Sequence, residues 1–240
     1  MYQTLTCIAL RTVKHSDRHS IMSAYSRERG RLSLLVPAGN GREASRRRAM
    51  LMPGNRFSCV ADIRDNDRIP PMREVSMRGV QAAFAHPVKS AVTLFLVDFL
   101  NTLLRDSMPD EVMFDFIDMM LESYGRKEKG IANFHLLFLI KLAHFAGIEP
   151  DVSTYRKGTL FDMMDGVFRT SAPLHGRFLE REESAAVVQL MRMNLRNMAR
   201  FSLSASQRNR ILDGILEYYS LHFANVQSIK SIDVLRELFR

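Results

Sequence analysis

Apolar and polar residues alternate along short segments in the first third of the chain, and this pattern predicts β-strands. The alternation is clearest at Phe57, Cys59, Ala61 and Ile63, which are separated by Ser58, Val60 and Asp62. A period of two is expected when one face of a strand is buried. Gly30 lies between two of these segments, where a tight turn needs a positive φ. The predicted strands span residues 5–13, 20–26, 32–36, 57–63 and 73–77.

Five short strands in about 75 residues, with a longer connection after the third, predict a small OB-type barrel. An SH3-like barrel has a similar strand count, and the pattern alone leaves it open. The connection after the third strand begins with Pro37-Ala-Gly-Asn-Gly41, which favours a loop.

The period changes to that of helices after Pro70-Pro71. Helices are predicted over residues 88–105, 111–124, 130–146, 180–196 and 206–223, with a short one from 231. The first is apolar almost all round, so it is expected to be a central buried helix. Between the third and fourth helices, an irregular insertion at about 149–177 contains a predicted β-hairpin that turns at Asp165-Gly166.

The predicted fold class is therefore α+β. Residues 1–80 are expected to form an N-terminal five-stranded OB-fold barrel, and residues 81–240 an all-helical C-terminal domain that contains the insertion.

Charge divides the chain at the same place. Residues 1–80 contain fifteen Lys and Arg against seven Asp and Glu, a net charge of +8, whereas residues 81–240 contain nineteen of each. Such asymmetry predicts a basic binding module joined to a neutral body.

Arginines are densest between Arg42 and Arg48, which hold four of them in seven residues. Like charges this close repel one another unless a polyanion neutralises them, and a nucleic-acid backbone is the commonest such partner. A solvated arginine loop with no partner is the alternative. If the basic residues of the barrel share one face, they form a groove that follows phosphates with little sequence preference. The candidate DNA-binding residues are Arg11, Lys14, Arg27, Arg29, Arg31, Arg42, Arg46, Arg47, Arg48 and Arg56.

Signals for catalysis or metal binding are weak. The chain has no P-loop, dinucleotide-binding fingerprint, nucleophile elbow or zinc-type cysteine quartet. His15 and His19 flank Asp17, but a turn between strands is the wrong setting for two ligands at this spacing. Asp62, Asp65 and Asp67 lack the Glu-x-Lys partner that a two-metal nuclease would need. We therefore expect no enzyme activity.

Cys7 and Cys59 are the two cysteines, and both lie in alternating apolar segments. They are expected to be small buried residues in a reducing compartment. No signal peptide is evident, and the longest apolar run is interrupted by Asp98 and Asn101. These features predict a cytosolic protein that does not enter a membrane.

Several short motifs occur in an order that resembles the RecO family of bacterial recombination mediators. They are Ile8-Ala-Leu-Arg11, Ser16-Asp-Arg-His-Ser20, Tyr25-Ser-Arg-Glu-Arg-Gly-Arg-Leu32, the basic stretch 42–48, Phe161-Asp to Gly166, Pro173-Leu-His-Gly176 and the ending Ser228-Ile-Lys-Ser-Ile-Asp-Val-Leu-Arg236. The resemblance spans the whole chain.

The resemblance implies a non-catalytic factor in DNA repair and homologous recombination that is associated with the nucleoid. Members of such a family bind single- and double-stranded DNA, anneal complementary strands coated by single-strand-binding protein, and with RecR help to load RecA. The helical body would then hold the partner contacts. The candidates for contact with the acidic tail of single-strand-binding protein are Arg126, Lys127 and Lys141.

Many relatives bind zinc through two Cys-x-x-Cys pairs in the segment equivalent to residues 152–171, where this chain has no cysteine. We therefore expect no cofactor or structural metal, with Tyr155, Phe161 and Phe168 packing this region instead.

The rival from another class is a helical adaptor or transcriptional regulator with an accessory nucleic-acid-binding barrel. A helix-turn-helix protein would need a basic recognition helix, and the charge balance of residues 81–240 argues against one.

Overall fold

The structure is a computed structural model, and it describes residues 1–64, 68–79, 86–227 and 229–238. These residues form two compact units. The first contains residues 1–126 together with 229–235, and the second is built from residues between 127 and 227. The predicted boundary between residues 80 and 81 lies outside the described residues.

The first unit is built on a five-stranded antiparallel sheet. Its strands are β1 (Tyr2–Lys14), β2 (His19–Ser26), β3 (Gly30–Pro37), β4 (Arg56–Asp62) and β5 (Met72–Met77), in the order β3-β2-β1-β4-β5. The N–H of Leu35 donates to the carbonyl of Pro70 at 2.9 Å, and Leu35 pairs with Pro71 in a parallel bridge. The two outer strands therefore meet and close the sheet into a barrel, which confirms the predicted OB-type fold.

Alternate residues of these strands fill the barrel, as the period of two predicts. Cys7 and Cys59 are both buried there as free thiols. The other buried members of this core are Leu5, Ala9, Met22, Ala24, Leu34, Val36, Leu51, Phe57, Ala61 and Met72.

The connection between β3 and β4 differs from the prediction of a loop, because it contains the helix α1 (Arg42–Met50). Ala44 in this helix and Leu51 just after it are buried. Glu43 lies in its first turn, and Arg47 and Arg48 lie in its last turn. This arrangement opposes the helix dipole with charges of the favourable sign.

Two further helices pack with the barrel in the first unit, α2 (Pro87–Leu103) and α3 (Glu111–Arg126). Pro87 opens α2, and the Asp110 carboxylate caps α3 by accepting from the N–H of Met113 at 2.9 Å. Tyr25 of β2 packs against Phe114 with ring centroids 5.7 Å apart. The outer face of the sheet is therefore partly covered by helices.

Gly30 marks the closest approach between the β2–β3 hairpin and the segment that joins α2 to α3. Its φ is +65°, and a Cβ there would lie 2.5 Å from the carbonyl oxygen of Ser107. Both its conformation and its neighbours therefore require glycine.

The C-terminal motif that contributed to the family resemblance has a physical role in this unit. The Asp98 carboxylate of α2 accepts from both the N–H and the hydroxyl of Ser231, at 3.2 and 2.9 Å. Ser231 directly precedes α7 (Ile232–Leu238), so Asp98 satisfies donors at the start of that helix.

The second unit contains α4 (Phe134–Phe145), α5 (Arg181–Met191) and α6 (Ala205–His222). It also contains the predicted hairpin, formed by β6 (Leu160–Asp162) and β7 (Val167–Arg169). A short strand that was not predicted, β8 (Phe178–Leu179), pairs with the other side of β6. None of the helices in the described part of the chain combines the length and apolar character needed to cross a bilayer.

Aromatic side chains pack this hairpin, as expected from the absence of cysteines. Phe168 lies 5.2 Å from Tyr155 and 5.0 Å from Phe161, and Phe161 lies 5.4 Å from Tyr218, measured between ring centroids. Such pairs contribute about 0.5–1.5 kcal/mol each beyond their buried area.

Asp162 is the polar centre of the same region, and its side chain is only 1% exposed. Its carboxylate accepts from the N–H groups of Met164 and Asp165 at 3.0 and 3.2 Å and from Arg169 Nε at 2.7 Å. His175 Nε2 lies 3.2 Å from Oδ1. Burial would raise the pKa of Asp162, but these hydrogen bonds outweigh it and hold the pKa below its ordinary value.

Replacing Asp162 with Asn should therefore destabilise the protein by about 3 kcal/mol at neutral pH, because buried donors lose an ionised acceptor. The folded state binds this proton more weakly than the unfolded chain, so the carboxylate stabilises the fold above about pH 4. That contribution is lost as the pH falls through the lowered pKa of the folded state.

Urea unfolding of the wild type and the variant at several pH values measures this effect. The difference in unfolding free energy should shrink below about pH 4. Asp165→Asn is the matched control because the Asp165 side chain is 56% exposed, and it should cost under about 1 kcal/mol. A cost for Asp162→Asn that does not change with pH would contradict this account.

Candidate nucleic-acid interface

The helix α1 presents its arginines in a defined pattern. At 100° per residue, Arg42 and Arg46 point away from the buried Ala44, whereas Arg47 and Arg48 flank the buried side. Arg42 and Arg46 are exposed and Arg47 is half-buried. The guanidinium of Arg48 donates to the carbonyl of Gly39 at 2.6 Å. The helix thus exposes Arg42, Arg46 and Arg48, of which Arg48 also anchors the segment that precedes the helix, and Arg47 is partly exposed.

The turn between β1 and β2 lies beside the start of this segment. The N–H of Ala38 donates to the carbonyl of Arg18 at 2.8 Å, and Ala38 is the direct neighbour of Gly39. Lys14 and Arg18 are exposed in and beside this turn. Arg18 was not among the candidates from sequence, although its position in a turn next to the arginine-rich segment was a usable signal.

We call this set the arginine surface, and most of its members have no acidic partner. Lys14 forms an ion pair with Asp17 at 3.0 Å, but both groups are largely exposed, so the pair contributes little. Within the described residues the remaining members form no ion pair, which leaves their charge available to a polyanion. The surface comprises Lys14, Arg18, Arg42, Arg46, Arg47 and Arg48, and Arg11 on β1 is also exposed without an ion pair in the described part of the chain.

The candidates on the β2–β3 hairpin lie in a different environment. Arg27 contacts α3, with Nε 2.8 Å from Asp115 Oδ1 and Nη2 2.8 Å from Glu111 Oε2. Its charge is already compensated. Arg29 is exposed and donates from Nε to the side-chain oxygen of Gln3 at 2.9 Å, so its charge remains available.

Arg31 is half-buried against the C-terminal end of α2. Its Nη2 donates to Asn101 Oδ1 at 2.8 Å, and burial, together with the nearby Arg105, lowers its pKa. Helix carbonyls at this end favour a cation, which accounts for its position. Arg31 therefore contributes to packing inside the first unit.

Arg56 was a candidate DNA-binding residue, but the structure places its side chain in the interior. Its side chain is 6% exposed and forms ion pairs with Asp118 and Glu122 of α3. Arg78 also pairs with Asp118 at 3.2 Å, and Gly79 leaves no room for a Cβ beside the Arg56 guanidinium. Arg56 is thus enclosed within the fold and is removed from the proposed interface.

Of the aromatic residues in the barrel strands, Tyr2 is exposed, whereas Tyr25 and Phe57 are not. Tyr2 is 56% exposed, and the guanidinium carbon of Arg73 lies 5.3 Å from its ring centroid. Tyr25 and Phe57 are 1% and 0% exposed. Phosphate contacts, which are independent of sequence, are therefore the interaction that this surface can offer.

The three candidate partner-binding residues are placed differently from one another. Arg126 is exposed at the end of α3 and pairs with Glu122. In the second unit, Lys127 is half-buried, and Lys141 donates from Nζ to the carbonyl of Met191 at 2.7 Å. Lys141 thus binds the C-terminal end of α5, where a cation is favoured.

The acidic residues considered as metal ligands do not form a site in the described part of the chain. Asp62 is bound by the amino terminus at 2.9 Å and by Arg64, and these cations lower its pKa to about 2. Asp65 and Asp67 lie outside the described residues. Among described residues, no group of three or more His, Cys, Asp or Glu side chains is arranged to hold a metal ion.

Two family models together match most of the chain. The family described as recombination protein O N terminal matches residues 1–80, and recombination protein O C terminal matches residues 86–230. The chain belongs to the RecO family of DNA repair proteins. It is 33% identical to DNA repair protein RecO of Phocaeicola vulgatus over 240 residues, which covers 100% of both chains. The relative from Bacteroides fragilis is 32% identical over 241 residues, again covering 100% of both chains, and that from Porphyromonas gingivalis is 30% identical over 239 residues, covering 97% of each.

RecO proteins are DNA repair mediators and are not known as enzymes. The family therefore agrees with the expectation of a DNA repair and recombination role that was drawn from the motifs. The structure adds a division among the candidate arginines, since the arginine surface and Arg29 remain exposed while Arg27, Arg31 and Arg56 contact α2 or α3.

Proposed function

We propose that this RecO protein is a recombination mediator that binds single- and double-stranded DNA through the arginine surface. It anneals complementary strands coated by single-strand-binding protein and, with RecR, helps to load RecA. The observation that supports this proposal most directly is the helix α1, whose exposed arginines have no carboxylate partner among the described residues.

Annealing follows from the chemistry of such a surface. Two DNA strands repel each other through their phosphates, and arginines that neutralise phosphates lower that repulsion. Base pairing supplies the specificity, so the protein needs no contacts to base edges. Tyr25 and Phe57 are buried and so cannot stack on bases, which agrees with binding mainly through phosphates.

The affinity for DNA should fall steeply with salt. With roughly six phosphate contacts, it should decrease about a thousandfold between 50 and 200 mM salt for double-stranded DNA and about three-hundredfold for single strands, whose salt slope is smaller. Fluorescence anisotropy with labelled DNA of two unrelated sequences measures this dependence. A flat salt response, or a strong preference for one sequence, would contradict the proposal.

The acidic tail of single-strand-binding protein is proposed to bind a basic region of the second unit. Gly130 and Ala199 are in contact, since a Cβ on Gly130 would lie 2.8 Å from the Ala199 Cα. Their chain neighbours Lys129 and Arg200 are exposed and form no ion pair within the described residues. Together with Lys127, they offer cations to an acidic peptide.

Reversing Lys127, Lys129 and Arg200 to Glu should weaken binding of a labelled acidic tail peptide at least tenfold. Lys141→Met is the comparison variant, because the Lys141 ammonium is occupied by the Met191 carbonyl. Tail affinity that is unchanged by the triple reversal would remove this part of the proposal.

A further inference from the structure

The second unit contains a groove between α5 and α6 that none of the roles above uses. Its volume is about 570 Å³, which lies within the range of ligand-binding sites in proteins. Val187, Leu190, Ile215 and Tyr218 form its buried floor. The half-buried side chains of Leu179, Ala186, Phe201, Leu203 and Ile211 line its walls.

The groove is elongated. Its lining residues on α6 run from Gln207 to Tyr219. At 1.5 Å per residue this is a length of about 18 Å, or just over three helical turns. Such a shape suits a peptide segment with apolar side chains along one face.

Gly214 lies midway along the α6 wall and leaves the groove open there. A Cβ at this position would lie 3.9 Å from Leu179 Cδ2, an ordinary contact distance. A larger side chain at this point would therefore project into the groove without distorting the helix.

Carboxylates dominate the rim of this groove. The charged lining residues are Glu182, Glu183, Asp213, Glu217 and a single cation, Arg210. Asp213 pairs with Arg236, and Glu217 pairs with Arg177 at 3.4 Å. Glu182 and Glu183 are exposed in the first turn of α5 and form no ion pair within the described part of the chain.

We propose that this groove binds a basic amphipathic segment of a partner protein. Apolar side chains of the segment would enter the groove, and its Lys or Arg residues would face Glu182 and Glu183. The rim repels acidic peptides, so this surface is distinct from the basic region around Lys129 and Arg200. The inference does not depend on DNA binding.

The test uses the full chain and a labelled peptide of about twelve residues, with leucines on one helical face and lysines beside them. A second peptide has glutamates in place of the lysines. Gly214→Leu blocks the groove, and leucine is also a better helix former than glycine, so the variant should fold. Glu182→Gln with Glu183→Gln removes the unpaired charges. Asp106→Asn with Glu74→Gln is the charge-matched control, at exposed carboxylates of the first unit away from α1.

The basic peptide should bind at least tenfold more tightly than the acidic one. Gly214→Leu should weaken it at least tenfold, the Glu182 and Glu183 double variant about fivefold, and the control under twofold. DNA affinity of all variants should match the wild type. Equal binding of the two peptides, or binding insensitive to Gly214→Leu, would overturn the proposal. So would self-association of the protein that Gly214→Leu abolishes, since the occupant would then be a second copy of the chain.

Discussion

Replacing Arg42, Arg46 and Arg47 together with alanine is expected to lower DNA affinity about a hundredfold at 50 mM salt. Each residue projects from α1 without a carboxylate partner in the described structure, so each can neutralise a phosphate. The slope of log affinity against log salt should decrease by about 3, because roughly one counterion is released per contact. Arg48 is left in place since it holds Gly39.

A triple variant at Lys157, Arg181 and Lys230 controls for net charge. These residues are exposed cations that form no ion pair in the described part of the chain, and their replacement by alanine removes the same total charge. Their loss should change affinity less than about threefold, through long-range attraction alone. If both triple variants lost equal affinity, DNA binding would depend on the overall charge of the protein, and the arginine surface would not be the contact.

Replacing Arg56 with methionine is expected to destabilise the protein by about 3–5 kcal/mol. The change removes the buried cation that Asp118 and Glu122 share, and leaves them only their pairs with the more exposed Arg78 and Arg126. Arg64→Met is the matched control, because Arg64 is 66% exposed in its pair with Asp62 and should cost under about 1 kcal/mol. Urea unfolding measures both changes.

Neutralising Asp118 and Glu122 in the Arg56→Met variant tests whether the loss of stability comes from their charge or from a general packing defect. In Arg56→Met, the further changes Asp118→Asn and Glu122→Gln should restore part of the lost stability, because Arg78 and Arg126 are more exposed and compensate the two carboxylates less than Arg56 does. DNA affinity of the Arg56→Met variant, measured where it is still folded, should equal that of the wild type. A folded variant with a large loss of DNA affinity would return Arg56 to the interface.

The barrel could be predicted because its strands each bury one face. Alternation at Phe57, Cys59 and Ala61 reports directly on side chains that enter the barrel. The same pattern places Arg56 on the outer face of the barrel. From sequence alone, an outer face that another element covers cannot be distinguished from one that contacts solvent. In the structure that face is covered by α3, so an outward arginine is buried.

The helix α1 was missed for a related reason. Its buried contacts come from Ala44 and from Leu51 just beyond its end, which is too little apolar periodicity to indicate a helix within nine residues. The preceding glycines also favour a loop. Composition is enough to single out the arginines as candidates, but their separation into exposed and internally bonded groups depends on tertiary contacts.

Strand annealing tests the central claim most directly. Complementary DNA strands coated with single-strand-binding protein would be mixed with the wild type, the Arg42, Arg46 and Arg47 triple variant, or the Lys157, Arg181 and Lys230 control. We expect rapid annealing by the wild type and the control and little above background by the triple variant. Annealing by the triple variant at the wild-type rate would contradict the assignment of DNA to the arginine surface, and no annealing by the folded wild type at low salt would contradict the mediator function.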